Sequence, residues 1–98
     1  MSRIEKRLRR WRENTPAAVP KKEIVGVLDR YFPGRHEGKS GSHIVVRDPR
    51  LRNLADFGPN GEFTVVVESG QRVKRRYLKR VAQAVAIIEE MEDEIADE

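Results

Sequence analysis

The 98-residue chain is long enough for one domain with a modest core, and its 38% hydrophobic and 37% charged residues keep that core small beneath a heavily charged surface. It contains no cysteine, which excludes disulfides and thiolate metal sites, and no apolar run approaches the length of a membrane span. The net charge of +4 conceals an asymmetry: all 20 Lys and Arg lie in residues 1–80 beside 9 acids, whereas residues 81–98 hold 7 acids and no base.

Residues 2–13 read as a short amphipathic helix that Ser2 can cap. Ile4, Leu8 and Trp11 recur on one face, with Trp11 expected as a core anchor, and Arg3, Lys6, Arg7, Arg10 and Glu13 take the other. Asn14-Thr15-Pro16 ends it, because proline disfavours helical geometry in the residue before it. A second helix is expected to begin at Pro20, with Ile24, Val27, Leu28 and Tyr31 as its apolar face and Pro33-Gly34 as its stop. Arg35 to Gly41 has the glycines of a turn or an irregular strand. His43 to Arg47 is β-branched and apolar, a candidate buried strand closed by Asp48-Pro49. Residues 50–61 form a loop with strong turn chemistry in Gly58-Pro59-Asn60-Gly61, and Phe63 to Val67 is the clearest strand of the chain. After a turn at Ser69-Gly70, a long helix runs from about Lys74 to about Ala96, with Leu78, Val81, Val85, Ile88 and Ile95 as its stripe. Helix, helix, two or three strands and helix predict a single α+β domain, one small antiparallel sheet with helices packed on one face.

The last helix begins with Lys74, Arg75, Arg76, Lys79 and Arg80 and ends with Glu89, Glu90, Glu92, Asp93 and Glu94, the reverse of what the helix macrodipole favours. Its basic start is therefore expected to serve a ligand, and its acidic tail to fray or to meet a basic partner. A body this basic attracts polyanions, nucleic acid above all. Within it, Gly41-Ser42-His43 leads into the His43 strand with basic residues on both sides. Histidine gives and takes protons near neutral pH. RNA carries its own 2′-hydroxyl nucleophile, so cleaving it needs a proton acceptor, a proton donor and phosphate-binding cations. His43 is the candidate general base or acid, and Lys39, Arg47, Lys74, Arg75 and Arg76 are the candidate phosphate contacts. Ser42 has the chemistry of a phosphate donor, and backbone bonding in the turn is its favoured role. His36 would share the acid and base roles if it met His43, though an exposed turn position fits it better. Two histidines and scattered carboxylates show no metal-ligand spacing, and no phosphate loop or hydrolase elbow is present.

Taken together, these residues resemble the HicA (YcfA-like) toxin family. The likeness rests on Gly41-Ser42-His43 leading into Ile44-Val45-Val46-Arg47-Asp48-Pro49, then on the Val65-Val66-Val67 strand. It continues through Gly70-Gln71-Arg72-Val73-Lys74 to Tyr77-Leu78-Lys79-Arg80-Val81. It covers roughly residues 2–90, with 20–90 as the family-like core, 1–19 as an extra helix and link, and 91–98 as an acidic tail. The resemblance implies a double-stranded-RNA-binding-like α-β-β-β-α fold and ribosome-independent cleavage of mRNA with no cofactor. It also implies a HicB-type antitoxin partner. It maps the family's catalytic histidine onto His43 and its neighbours onto Gly41 and Ser42. Two features depart from the family pattern. Gly34 to Ser40 is almost devoid of apolar side chains, and the 50–62 loop is long, so that it is expected to cover the site or offer another partner surface.

Met1 to Arg7 lacks the apolar stretch of a secretory signal, and with no cysteine present the expected location is the cytoplasm. Two further functions use the same residues. One is a non-catalytic nucleic-acid-binding module in which His43 is structural. The other is a protein-interaction adaptor that docks through the acidic 89–98 segment.

Overall fold

The structure, a computed structural model, describes residues 2–39 and 42–96. Helix α1 (Arg3–Glu13) starts at a reciprocal cap: Glu5 N donates to Ser2 Oγ at 3.1 Å and Ser2 N donates to Glu5 Oε1 at 3.3 Å. Its apolar face points Leu8 and Trp11 into the core, where Trp11 is 1% exposed, so the extra helix is built into the domain. Thr15 Oγ1 donates to the Trp11 carbonyl just past the helix end, before Pro16.

Pro20 does not open the second helix. It closes strand β1 (Ala18–Pro20), and α2 (Lys21–Tyr31) follows with Pro20 as its cap residue. The φ of −62° suits both conformations, and the ψ of 147° is extended. The reason is tertiary. Lys21 N donates to the Gln71 carbonyl at 2.7 Å, which satisfies a free helix-end donor from across the domain. Ile24, Val27 and Leu28 are fully buried as the spacing predicts, whereas Phe32, one residue past the helix, is buried more deeply than Tyr31.

Strands β2 (His36–Lys39), β3 (His43–Arg47) and β4 (Glu62–Val66) form an antiparallel meander in the order β2-β3-β4. Ile44, Val46, Phe63 and Val65 face inward and join one core cluster with the apolar stripes of α2 and of α3 (Arg75–Ala96). The fold is thus α+β, and α2, the β2-β3-β4 meander and α3 follow the predicted α-β-β-β-α order. A single sheet was expected, but the described residues also contain a two-stranded ribbon, β1 with β5 (Arg72–Lys74), in which Ala18 faces Lys74. Three residues are too few to show alternation, and the partner lies more than fifty positions away in the chain. Among the described residues, no helix is long and apolar enough to cross a membrane.

The 50–62 loop does not cover the His43 end of the sheet. A single 3-10 turn, Pro49–Leu51, opens it, and Leu51 and Phe57 anchor it in the core, where the Phe57 and Phe63 rings meet edge to face at 5.7 Å. It then leans on α3: Arg80 Nη1 donates to the Asp56 carbonyl at 2.8 Å and Gln83 Nε2 donates to Asp56 Oδ2 at 2.6 Å. The acidic end of α3 is also engaged. Glu89 pairs with Arg12 of α1 at 2.7 Å and Glu92 with Arg50 of the loop at 3.0 Å. Its reversed charge order is therefore partly a device for tying α3 to its neighbours. The side chain of Ile95, expected on the apolar stripe, lies outside the described residues.

Candidate active site

The ladder decides which side chains share a face, because partners in an antiparallel pair point the same way and neighbours along a strand alternate. His43 pairs with Val66, Val45 with Thr64 and Arg47 with Glu62, which places these six on the open face of the sheet. Within that set His43, Arg47 and Thr64 are exposed. The His43 ring is held from one side: Ser42 Oγ lies 3.0 Å from Nδ1. If Nδ1 carries the proton and donates to the hydroxyl, Nε2 is left with its lone pair, the form a general base requires. Ser42 stands in the turn before β3, as favoured, and its hydroxyl also touches the histidine. Its carbonyl in turn accepts from Val67 N at 2.7 Å, which fixes the residue before His43 to the end of β4.

His36 occupies the other face. It stands opposite the fully buried Val46, and its Nε2 lies 2.8 Å from Asp29 Oδ1 of α2. Pleat parity therefore separates the two rings, and His36 is neither an exposed turn residue nor a catalytic partner of His43. It latches the edge strand to a helix.

The candidate phosphate contacts divide into three places. Lys39 is the ladder partner of His43, with Cα atoms about 5 Å apart for such a pair. Gly41 lies outside the described residues, as does the side chain of Lys39. Arg47 shares the open face but lies four residues along the strand from His43, roughly 13 Å. Its Nε donates to Glu62 at 2.8 Å, so its charge is already matched. Lys74, Arg75 and Arg76 line one open groove with Ala17 and Lys79, about 500 Å³ in volume. Backbone joins this groove to the histidine end: β4 continues from Val67, bonded to Ser42, into Glu68, which bridges to Arg72 and pairs with Lys74 Nζ at 3.2 Å. Lys79 was outside the phosphate-contact set, yet its spacing of four residues from Arg75 and three from Arg76 marks it as their neighbour on a helix.

The charged centre that sequence reasoning missed is Asp48. Its carboxylate is 0% exposed. Arg50 donates to it three times, from N at 2.9 Å, Nε at 3.1 Å and Nη2 at 2.8 Å, and Arg35 stands 3.8 Å away. Burial by itself would raise its pKa. The Arg50 hydrogen bonds and the two guanidinium charges outweigh that and hold the carboxyl below its usual range. An Asp just before Pro-Arg is a helix-cap signal that foretells the local bond but not the burial. Among the described residues, no group of three or more His, Asp or Glu is placed to hold a metal ion. Comparisons with protein-family models, with curated proteins and with solved structures find no match to this chain.

Proposed function

We propose that this chain is a small endoribonuclease that cleaves mRNA with His43 and binds it through its basic groove, as the resemblance to the HicA toxins implies. The observation that carries the reading is the His43 imidazole, exposed on an open sheet face and bonded through Nδ1 to Ser42. In this mechanism Nε2 takes the proton of a 2′-hydroxyl as its oxygen attacks the adjacent phosphorus. The bond to the 5′-oxygen breaks, that oxygen takes a proton from solvent, and a 2′,3′-cyclic phosphate remains. The imidazolium then returns its proton to solvent. Lysine or arginine near the phosphate would stabilise the charge that grows on its oxygens, with Lys39 closest to His43 in the ladder. Lys74, Arg75, Arg76 and Lys79 would hold the flanking strand, and an mRNA substrate sets the cytoplasm as the place of action. A HicB-type antitoxin would neutralise the enzyme by laying an acidic surface over His43 and the 74–80 patch.

A non-catalytic RNA-binding module is the second reading, favoured by a basic groove built on different elements from those that hold His43. One experiment separates the two. Purified protein and its His43→Ala variant are incubated with end-labelled single-stranded RNA in EDTA. We expect the variant to lose at least about two decades in cleavage rate, the span of one general base. Its RNA affinity should stay within a few-fold, since a neutral side chain releases no counterions. Equal cleavage by both proteins ends the mechanism, and binding with no cleavage by either selects the second reading.

A further inference from the structure

Helix α3 presents an exposed strip whose charges have no ion-pair partner among the described residues. Arg76, Lys79, Gln83, Ala86, Glu90 and Asp93 recur at three- and four-residue steps and are all exposed, with Arg75 and Glu94 flanking them. The neighbouring ionic groups are spent internally: Lys74, at the end of β5, on Glu68, and on the helix itself Glu89 on Arg12 and Glu92 on Arg50, while Arg80 donates to the Asp56 carbonyl. Among the described residues, Arg75, Arg76 and Lys79 at one end and Glu90, Asp93 and Glu94 at the other make no ion pair.

Their positions mirror one another. Lys79 and Glu90 lie equally far from the midpoint of the strip, between residues 84 and 85, as do Arg75–Arg76 and Asp93–Glu94 and, nearer the middle, Gln83 and Ala86. A two-fold axis across the strip would therefore set Lys79 against Glu90 of a second copy, and Arg75–Arg76 against Asp93–Glu94. Each contact occurs twice, which is the self-complementarity an isologous dimer requires. At 1.5 Å per residue the matched strip is about 28 Å long. Ala86 at its centre lets the two backbones approach. The antiparallel arrangement also opposes the two helix dipoles, which the reversed charge order of one copy alone does not. Beside the strip, Trp11, Thr15, Ala82 and Ala86 line a mostly apolar groove between α1 and α3 that would be covered in the same step.

We infer that this chain pairs with a second copy of itself through the exposed strip of α3, antiparallel, with Lys79 of each copy against Glu90 of the other. The contact is polar and solvent-edged, so it is a weak, salt-sensitive association. It goes beyond the nuclease reading and is independent of it, although it occupies Arg75 and Arg76, which the RNA would also use.

Sedimentation velocity without RNA tests it, on the full chain across a concentration series in about 20 mM and about 0.5 M salt. The expected result is a monomer–dimer equilibrium at low salt that collapses to monomer at high salt. Lys79→Glu or Glu90→Lys alone should each weaken the dimer by at least about tenfold, because each turns two attractive pairs into repulsive ones. The double reversal, Lys79→Glu with Glu90→Lys, should restore the parent affinity within about threefold, since the pair is exchanged rather than lost. Unchanged circular dichroism and melting temperature identify folded variants. A monomer at all concentrations at low salt overturns the proposal. So does a dimer indifferent to the single reversals, a double reversal that fails to rescue, or open-ended growth beyond the dimer.

Discussion

At the Arg47 end of β3 a carboxylate with no exposed surface is held by three hydrogen bonds from Arg50 and the nearby charge of Arg35. At the His43 end, four residues away, an exposed imidazole has the Ser42 hydroxyl beside it. The first end is packed beneath Leu51, Phe57 and Phe63, and its cations are matched by Asp48, Glu62 and Glu92. The second leaves a titratable ring facing solvent, within the same strand and the same ladder. One short strand thus separates a locked end from an open one: the locked end fixes the register that presents the exposed ring. Substitutions at the locked end should cost folding free energy and spare the site. Those at the open end should do the opposite.

The largest effect is expected at Gly61. Its φ is +61°, and an added Cβ would sit 2.2 Å from the Asp48 carbonyl oxygen and 2.9 Å from Arg52 N, both backbone atoms. Gly61→Ala must therefore move the chain that positions Asp48, and we expect a loss of about 3–5 kcal/mol in urea unfolding. A loss below about 1 kcal/mol would show that the locked end yields easily.

Asp48→Ala comes next. Removing a buried carboxylate strands two guanidinium groups, but both keep access to water, so the expected cost is about 2–4 kcal/mol. Because the folded pKa lies below the unfolded value, this carboxylate stabilises the fold fully above the unfolded value of about 4. That contribution fades as pH falls through the lower, folded pKa. Unfolding free energy measured against pH should accordingly drop for the parent below about pH 4, and more shallowly for Asp48→Asn. Parallel curves for the two proteins would remove Asp48 as the acid-sensitive group.

Effects at the open end are smaller in stability and, on the proposed mechanism, visible in RNA cleavage. Ser42→Ala should change unfolding free energy by less than about 1 kcal/mol, since the bond it loses is solvent-accessible. On the proposed mechanism it should slow RNA cleavage by a few-fold to about tenfold, because Nδ1 loses the partner that favours one tautomer. Cleavage at the parent rate would leave Ser42 a purely structural role. The smallest effect is expected for Gly38→Ala in β2, where an added Cβ meets no atom within 4 Å. A change within about 0.5 kcal/mol would mark the edge strand as slack, in contrast to Gly61.

Periodicity in the sequence was enough to determine the elements that bury a repeating face. α1 with its Ser2 cap and Trp11 anchor, the Ile24–Leu28 face of α2, the His43–Arg47 strand and the Leu78–Ile88 stripe are each determined by residues within a few positions of one another. His43 was also legible there, as the one histidine between a glycine turn and an apolar strand. Tertiary structure alone decided what depends on partners distant in the chain. It drew Pro20 into a ribbon with Arg72, because the donor next to it found the Gln71 carbonyl. It put His36 and His43 on opposite faces, since strand parity is fixed only once the ladder register is set. It made Asp48 the buried charge and matched Arg47 with Glu62, while leaving Arg75, Arg76 and Lys79 open. Periodicity reports which side of an element is apolar, a local property. Which charges are cancelled depends on where other segments bring their own, and that is known only when the chain has folded.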